Sequence, residues 1–373
     1  MASTQNEINS NNGSKNSVES SDKEAEHFAK VVSAFLHYQN FSYLRIEKAK
    51  KDFLSLDEQD RKRLPKYLDN LEKQRRCIDK NHKFITEIIG HTGYIFENVD
   101  HHVDMKMNLD NKISVFFMEK VLTTIKQFVR DWSDEGAEER DLCYRPIVEE
   151  IKCLYPPDKC NPCDVSILVP GAGLARLMVD LAKLGYTVQG NEWSLFMLIA
   201  SNYILNKCQG TYHTTIYPFV HQTCNNMSSE DQLRAIKIPD IDPTQLPRNI
   251  NFSMNAGNFT DVYETADEWN CVATCFFIDT ANNIISYVET INHILKPGGY
   301  WINLGPLLYH FADMQNECSI EISYEQLRKL IVNKFGFEML KEDRLKSTYI
   351  GNKKSMMETI YHCVYFVAKK SLT

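Results

Sequence analysis

The sequence has no long apolar run, no block of basic residues and no regular cysteine spacing. Its apolar runs, such as residues 195–200, are far shorter than the ~20 residues that a helix needs to cross a bilayer, so we expect no membrane partner. Lys and Arg number 42 against 49 Asp and Glu, and the net charge of −7 disfavours nucleic acid as a partner. The 11 cysteines follow no signal peptide, which favours a reduced intracellular protein over a disulfide scaffold.

A second cysteine pair suitable for a metal is also missing. Cys160 and Cys163 form a single C-x-x-C in a proline-rich stretch, and the upstream cysteines Cys143 and Cys153 do not repeat that spacing. Structural zinc sites usually need two such pairs. The sequence therefore predicts no metal.

The chain changes character twice along its 373 residues. Residues 1–21 are rich in Ser, Asn and Glu and predict a disordered tail. Residues 22–142 show helical periodicity, with apolar stripes at 28–36 and 64–71, and predict a helical N-terminal region. Residues 143–373 alternate strand and helix patterns, which predicts an α/β domain with a Rossmann-like, mostly parallel sheet. A proline-rich, weakly periodic stretch at about 210–248 predicts an insertion in that domain.

A glycine turn organises the α/β region. A β-branched strand at 165–169 runs into Pro-Gly-Ala-Gly, and a helix is predicted at 174–184. Glu192 ends the next strand, about 20 residues beyond Gly173, where a nucleotide-binding βαβ unit places a carboxylate on ribose hydroxyls. Gly171 and Gly173 lack the third glycine of a dinucleotide fingerprint, since Arg176 occupies that position. The turn therefore favours a sulfonium nucleoside.

Further candidate residues follow later strands. Asn258 and Phe259 come after a strand predicted at 250–254, and Asp279 comes after one at 272–277. A helix predicted at 284–295 leads to the turn Lys-Pro-Gly-Gly at 296–299. Ligands of open α/β sheets bind at the carboxyl ends of strands, so we expect the residues at these strand ends to face one crevice.

The motifs V-P-G-A-G, A-G-N-F and K-P-G-G-Y-W-I-N-L-G-P resemble those of class I S-adenosylmethionine-dependent methyltransferases. The longer strings RDWSDEGAEERD, TCFFIDTA, NLGPLLYHF and STYIGNKKSMM resemble the carnosine N-methyltransferase family, which converts carnosine (β-alanyl-histidine) to anserine. The resemblance runs from about residue 24 to the C-terminus. Two positions depart from the usual pattern: Val169-Pro170 replaces a common acid, and Asn258 stands where Asp is common. An Asn side-chain oxygen can still accept from an adenine amino group.

This resemblance implies S-adenosylmethionine as cofactor and assigns residues to it. Gln127 and Arg130, on a helix predicted at 112–132, match positions that contact the cofactor. Arg130 would pair with the methionine carboxylate, the alternative being an ordinary solvated arginine. The other implied cofactor residues are Gly171, Gly173, Glu192, Asn258, Phe259 and Cys275, of which Cys275 could instead be a small core residue.

The resemblance also assigns an acceptor pocket. Methyl transfer needs a neutral imidazole, with one ring nitrogen held protonated while the other attacks. Asp279 is the candidate carboxylate for the ring N–H, the alternative being a helix N-cap. The pocket is completed by Phe276, His310, Tyr349 and Tyr361, with the C-terminal region as a substrate lid. His310 is, with Asp279, a candidate catalytic residue, although a His after a strand is often structural or exposed.

A homodimer is implied by the resemblance, and the absence of an import signal favours the cytoplasm with access to the nucleus. Two alternatives stay open. One is a methyltransferase for histidine in longer peptides or proteins, because Asp279 would contact only the imidazole ring of the acceptor. The other is an inactive cofactor-binding scaffold, in which the departures at Val169-Pro170 and Asn258 mark decay.

Overall fold

The computed structural model of the protein describes residues 10–92, 113–208 and 210–372, with side chains from residue 24 onward. The chain divides into two compact units, the first ending at Thr124 and the second beginning at Ile125. Residues 1–9 of the predicted tail lie outside the described residues, and the first helix begins at Ser10. Within the described ranges, every helix is too short or too polar to span a membrane.

The described part of the first unit is helical, as predicted. It contains α1 (Ser10–Leu54), α2 (Glu58–Arg63), α3 (Tyr67–Ile89) and the first half of α4 (Val115–Trp132). The apolar stripe at 28–36 faces inward on α1. The stripe predicted at 64–71 is wrong, because the chain breaks between α2 and α3 and leaves Leu64 and Leu68 exposed. The buried face of α3 starts at Leu71.

The second unit is built on a sheet. Its strands, including a separate pair, are β1 (Ser166–Pro170), β2 (Thr187–Glu192), β3 (Thr214–Ile216), β4 (Ile236–Ile238), β5 (Phe252–Ala256), β6 (Trp269–Cys275), β7 (Leu295–Gly305), β8 (Glu338–Ser347) and β9 (Tyr361–Lys369). The seven-stranded sheet has the order β5-β2-β1-β6-β7-β9-β8. The first five strands of that order run parallel, and β9 pairs antiparallel with both neighbours. The Rossmann-like prediction is confirmed, and the strand order reverses between β1 and β6, where such sheets bind ligands.

The second unit also contains helices. After the second half of α4, they are α5 (Ala137–Leu154), α6 (Arg176–Lys183), α7 (Leu195–Asn206), α8 (Ser229–Gln232), α9 (Phe259–Val262), α10 (Ile284–Ile294) and α11 (Tyr324–Asn333). The helices predicted at 174–184 and 284–295 are confirmed as α6 and α10. The sequence pattern did not predict α5, and the domain boundary predicted at residue 142 falls inside it.

Close packing of α6 on β2 depends on a glycine in the strand. A Cβ atom at Gly190 would lie 2.3 Å from the Met178 sulfur and 2.9 Å from the Ala172 Cβ. Only a residue without a side chain lets the helix approach this closely. The approach places the start of α6 beside the glycine turn.

The insertion and the C-terminal region both differ from plain loops. The insertion forms the antiparallel pair β3–β4 together with α8. The C-terminal strands β8 and β9 extend the main sheet, so the predicted lid is reduced to their connection at 348–360, here named the 348–360 loop. A β-bridge between Asn226 and Ser355 ties this loop to the insertion.

Candidate active site

The glycine turn follows β1 in a left-handed conformation. Gly171 has φ +65° and Gly173 has φ +56°, values that favour glycine. A Cβ atom at Gly171 would also lie 2.5 Å from the Phe277 ring, which follows β6. The turn thus requires glycine both for its backbone conformation and for its contact with the neighbouring strand end.

Glu192 ties the end of β2 to this turn. Its Oε2 accepts a 2.9 Å hydrogen bond from the Gly173 N–H. Its Oε1 accepts from the N–H groups of Trp193 and Ser194, at 2.9 and 2.8 Å. These three hydrogen bonds hold the Glu192 carboxylate in place beside the turn.

Gln127 lies on α4 beside the turn and is buried. Its Nε2 donates to Asp131 Oδ2 at 3.3 Å and lies 3.8 Å from where a Gly173 Cβ atom would be. Its Oε1 is buried and has no hydrogen-bond partner among the residues that the structure describes. Buried acceptors are rarely left unpaired, so this oxygen fits a ligand that brings a donor, such as a protonated amine.

Arg130 is only 5% exposed, so the solvated-arginine alternative is wrong. Its Nη1 donates to Asp131 Oδ1 at 3.2 Å and to the Tyr144 hydroxyl, its Nη2 donates to Cys143 Sγ at 3.4 Å, and its Nε lies 2.8 Å from Glu139 Oε1. Burial alone would lower the pKa of Arg130, but the neighbouring Tyr144, Cys143, Asp131 and Tyr349 raise it well above its ordinary value. Three of the five guanidinium N–H groups thus donate hydrogen bonds, whereas Nε pairs with Glu139 by charge without a hydrogen bond to any described residue. The second Nη2 hydrogen can therefore meet a ligand carboxylate.

A network of charged side chains caps the C-terminus of α4 and fixes the helix that carries Gln127 and Arg130. Arg140 Nη1 donates to the Arg130 carbonyl at 2.7 Å, and Arg176 Nη1 donates to the Asp131 carbonyl at 2.7 Å. Asp240, from the insertion, bridges the two arginines at 2.6 and 2.7 Å. The residue that replaces the third glycine of a dinucleotide fingerprint thus serves as a helix cap.

We expect Asp240→Asn to lower the free energy of unfolding by about 3–5 kcal/mol, because it deprives two buried arginines of a shared carboxylate. Chemical denaturation measures the loss. The matched control is Asp242→Asn, whose carboxylate accepts from the neighbouring Thr244 and Gln245 and should cost about 1 kcal/mol. An equal loss of unfolding free energy in the two variants would contradict the role of Asp240 in capping α4.

Asp279 lies in a short 3₁₀ helix (Ile278–Thr280) just past β6 and is 2% exposed. Its Oδ2 accepts a 2.8 Å hydrogen bond from the Leu308 N–H. Burial raises the pKa of Asp279, while this hydrogen bond and the nearby His310 act in the lowering direction. The N-cap alternative is wrong, since Asn283 caps α10 by accepting from the Ile285 N–H.

His310 lies in the loop after β7, where its backbone N–H donates to the Asp279 carbonyl at 3.0 Å. Its side chain is exposed. The structure therefore brings His310 next to Asp279, as the family resemblance implies, and leaves its ring accessible.

The predicted aromatic residues of the acceptor pocket come together around Phe276. This residue has φ +52°, and its N–H donates to the Leu304 carbonyl at 2.9 Å. The ring of Tyr349 lies 5.0 Å from the Phe276 ring centroid, and the ring of Tyr361 lies 5.7 Å away, edge to face. Phe276 thus forms one aromatic wall with two residues from much later in the sequence, Tyr349 in the 348–360 loop and Tyr361 at the start of β9.

The residues predicted for the adenine are less uniform. Cys275 is partly exposed at the end of β6. Asn258 is exposed, and its Nδ2 donates to Asp261 Oδ2 at 3.1 Å. The Phe259 side chain is buried against Phe277, 5.4 Å away, and so is directed away from solvent. A cofactor contact by Phe259 would therefore involve its main chain.

Sequence reasoning missed the side chains that hold Arg130. Asp131, Glu139 and Tyr144 are all buried around its guanidinium. The acidic segment at 131–141 ends α4 and begins α5. Acidic residues in the first turn of a helix, such as Glu138 and Glu139, were the available signal.

Comparisons with known proteins identify similar sequences and a similar solved structure. A family model described as carnosine N-methyltransferase matches residues 107–372. The chain is 47% identical over 348 residues to the carnosine N-methyltransferase of Mus musculus, covering 93% of this chain and 86% of that one. It is 38% identical over 370 residues to the Schizosaccharomyces pombe carnosine N-methyltransferase, covering 94% and 98%. A solved SAM-dependent methyltransferase from Methanosarcina mazei aligns with a TM-score of 0.37 and 13% identity over 59% of this chain and 99% of that one.

Proposed function

We propose, because this chain belongs to the carnosine N-methyltransferase family, that it methylates the imidazole of carnosine with S-adenosylmethionine and releases anserine and S-adenosylhomocysteine. The observation that supports this most directly is the buried Asp279 carboxylate, held at the strand end that also carries Phe276 of the aromatic wall. A carboxylate in such a place can orient an imidazole and stabilise the positive charge that develops on it.

The chain's own residues suit the cofactor. When bound, S-adenosylmethionine supplies a methyl group on a positively charged sulfur. The unpaired Oε1 of Gln127 would accept from its amino group, and the remaining Nη2 hydrogen of Arg130 would meet its carboxylate. Backbone at Gly171 and Gly173 would allow close approach, with Glu192 on the ribose hydroxyls. The adenine would lie near Asn258, Cys275 and the main chain of Phe259.

The acceptor side follows from Asp279. Its carboxylate would accept the ring N–H of the acceptor, so that the lone pair of the other nitrogen, nearer the side-chain stem, is aimed at the methyl group. The Leu308 N–H holds the carboxylate in position through a 2.8 Å hydrogen bond. Phe276, Tyr349 and Tyr361 would exclude water from the reacting ring, and His310 would face the rest of the dipeptide.

Incubation of the purified protein with methyl-labelled S-adenosylmethionine and carnosine tests the proposal. We expect labelled anserine. Its absence at micromolar enzyme would contradict the proposal and favour the inactive scaffold.

The competing activity on longer peptides has its own test. Carnosine, carnosine blocked at its carboxyl end and histidine peptides extended at that end are compared as acceptors. A dipeptide enzyme should lose most of its kcat/KM on the extended peptides. Equal rates would move the assignment to a peptide or protein histidine methyltransferase.

We further propose that the protein is a homodimer, as the family resemblance implies, and that it is located in the cytoplasm with access to the nucleus. Light scattering of the purified protein measures its mass directly. A mass of one chain at micromolar concentration would contradict the dimer.

A further inference from the structure

One buried carboxylate joins the candidate cofactor arginine to the acceptor wall. Glu139, on α5, is 5% exposed. Its Oε1 lies 2.8 Å from Arg130 Nε and accepts a 2.9 Å hydrogen bond from the Ile350 N–H. Its Oε2 accepts from Thr348 Oγ1 at 3.0 Å and from the Gly351 N–H at 3.1 Å. The carboxylate is thus surrounded by one cation and three donors from the 348–360 loop.

The residue between these anchors is Tyr349. Its ring lies 4.8 Å from the Arg130 guanidinium carbon and 5.0 Å from the Phe276 ring. Tyr349 is itself 37% exposed, so burial alone does not fix where it stands. Its backbone neighbours on both sides are instead held by Glu139 through charge-assisted hydrogen bonds, which are stronger than neutral ones.

Glu139 is not the only carboxylate that balances the positive charge of Arg130. Asp131 Oδ1 also lies 3.2 Å from its Nη1 and is completely buried. Removing the charge of Glu139 therefore leaves Arg130 paired with Asp131, and it removes one negative charge near the expected position of the cofactor's carboxylate. Like charges repel more strongly in a buried site than in water.

We propose that Glu139 is a positioning residue for the acceptor: it places Tyr349 against the acceptor site, whereas cofactor affinity depends on Arg130 and Asp131. This inference rests on the proposed function. It predicts that a substitution at Glu139 changes the affinity for carnosine and the affinity for the cofactor differently.

Glu139→Gln tests the proposal, because the amide keeps the size of the side chain and loses its charge. We expect the KM for carnosine to rise about 10-fold or more, the scale for losing hydrogen bonds to a charged group. Calorimetry should give the same rise in the Kd of carnosine measured with S-adenosylhomocysteine present. The Kd of S-adenosylhomocysteine itself should stay within about 3-fold of the wild type or become lower.

The matched control is Glu138→Gln. Glu138 is the preceding residue on α5, is exposed, and pairs with Lys353 of the same loop. Exposed ion pairs contribute little, so this variant should change the KM for carnosine by less than about 3-fold. A role through Tyr349 also predicts that Glu139→Gln/Tyr349→Ala has the KM of Tyr349→Ala alone.

Three results would overturn the proposal: an unchanged KM for carnosine in Glu139→Gln, equal weakening of both ligands, or the same effect in Glu138→Gln. If Glu139→Gln does not fold, Glu139→Asp, which keeps the charge but shortens the reach, is measured in the same way and must show the same split. A wild-type protein that does not methylate carnosine would instead contradict the proposed function.

Discussion

Asp279→Asn is expected to lower kcat for carnosine methylation by at least about 100-fold while cofactor affinity stays unchanged. The amide has the same shape and can still accept from the Leu308 N–H, but it lacks the negative charge that stabilises a developing imidazolium. Single-turnover kinetics measure the methyl-transfer step, and calorimetry measures the Kd of S-adenosylhomocysteine. The control is Asp313→Asn, an exposed acid in the loop after His310.

The pH dependence gives an independent check on Asp279. Because burial raises its pKa, the ionised form is present at high pH and is lost as pH falls through that raised value. The wild-type kcat should therefore fall on the acid side as Asp279 is protonated. The residual kcat of Asp279→Asn should keep only the fall caused by protonation of the acceptor imidazole itself. Near-normal turnover in the variant would mean that another group holds the imidazole.

Arg130→Lys is expected to raise the Kd of S-adenosylhomocysteine by about 10- to 100-fold, because lysine keeps the charge but loses the planar set of donors. The guanidinium bonds to Asp131, Cys143 and Tyr144 also fix the orientation of the second Nη2 hydrogen. Calorimetry measures the change. The control is Arg145→Lys, at a position on α5 with an exposed side chain. Unchanged affinity in Arg130→Lys would contradict a carboxylate contact by Arg130.

Local signals were sufficient for the cofactor side of the fold. Gly171, Gly173 and Glu192 belong to one βαβ unit, so their spacing alone predicted the turn, and the structure shows the hydrogen bond from Gly173 to Glu192. The alternation of strands and helices likewise predicted the parallel part of the sheet. The position of Asp279 at a strand end followed from the same pattern, although its role came from the family resemblance.

Long-range contacts could not be predicted from the sequence. Glu139 bonds to Ile350 and Gly351, which lie more than two hundred residues later. Asp240 reaches α4 from an insertion with weak periodicity. The sequence predicts Phe259 at the end of a strand, but its burial against Phe277 depends on how α9 packs. The spacing of residues along the sequence does not predict which distant residues contact the same buried charged side chain.

In the proposed reaction, Asp279 directs the methyl group to the ring nitrogen nearer the side-chain stem of carnosine. The most direct measurement is the NMR assignment of the product formed from carnosine and ¹³C-methyl-labelled S-adenosylmethionine. We predict a single methylated product, anserine, with the label on that nitrogen. Label on the other ring nitrogen, or no labelled dipeptide at all, would contradict this reaction.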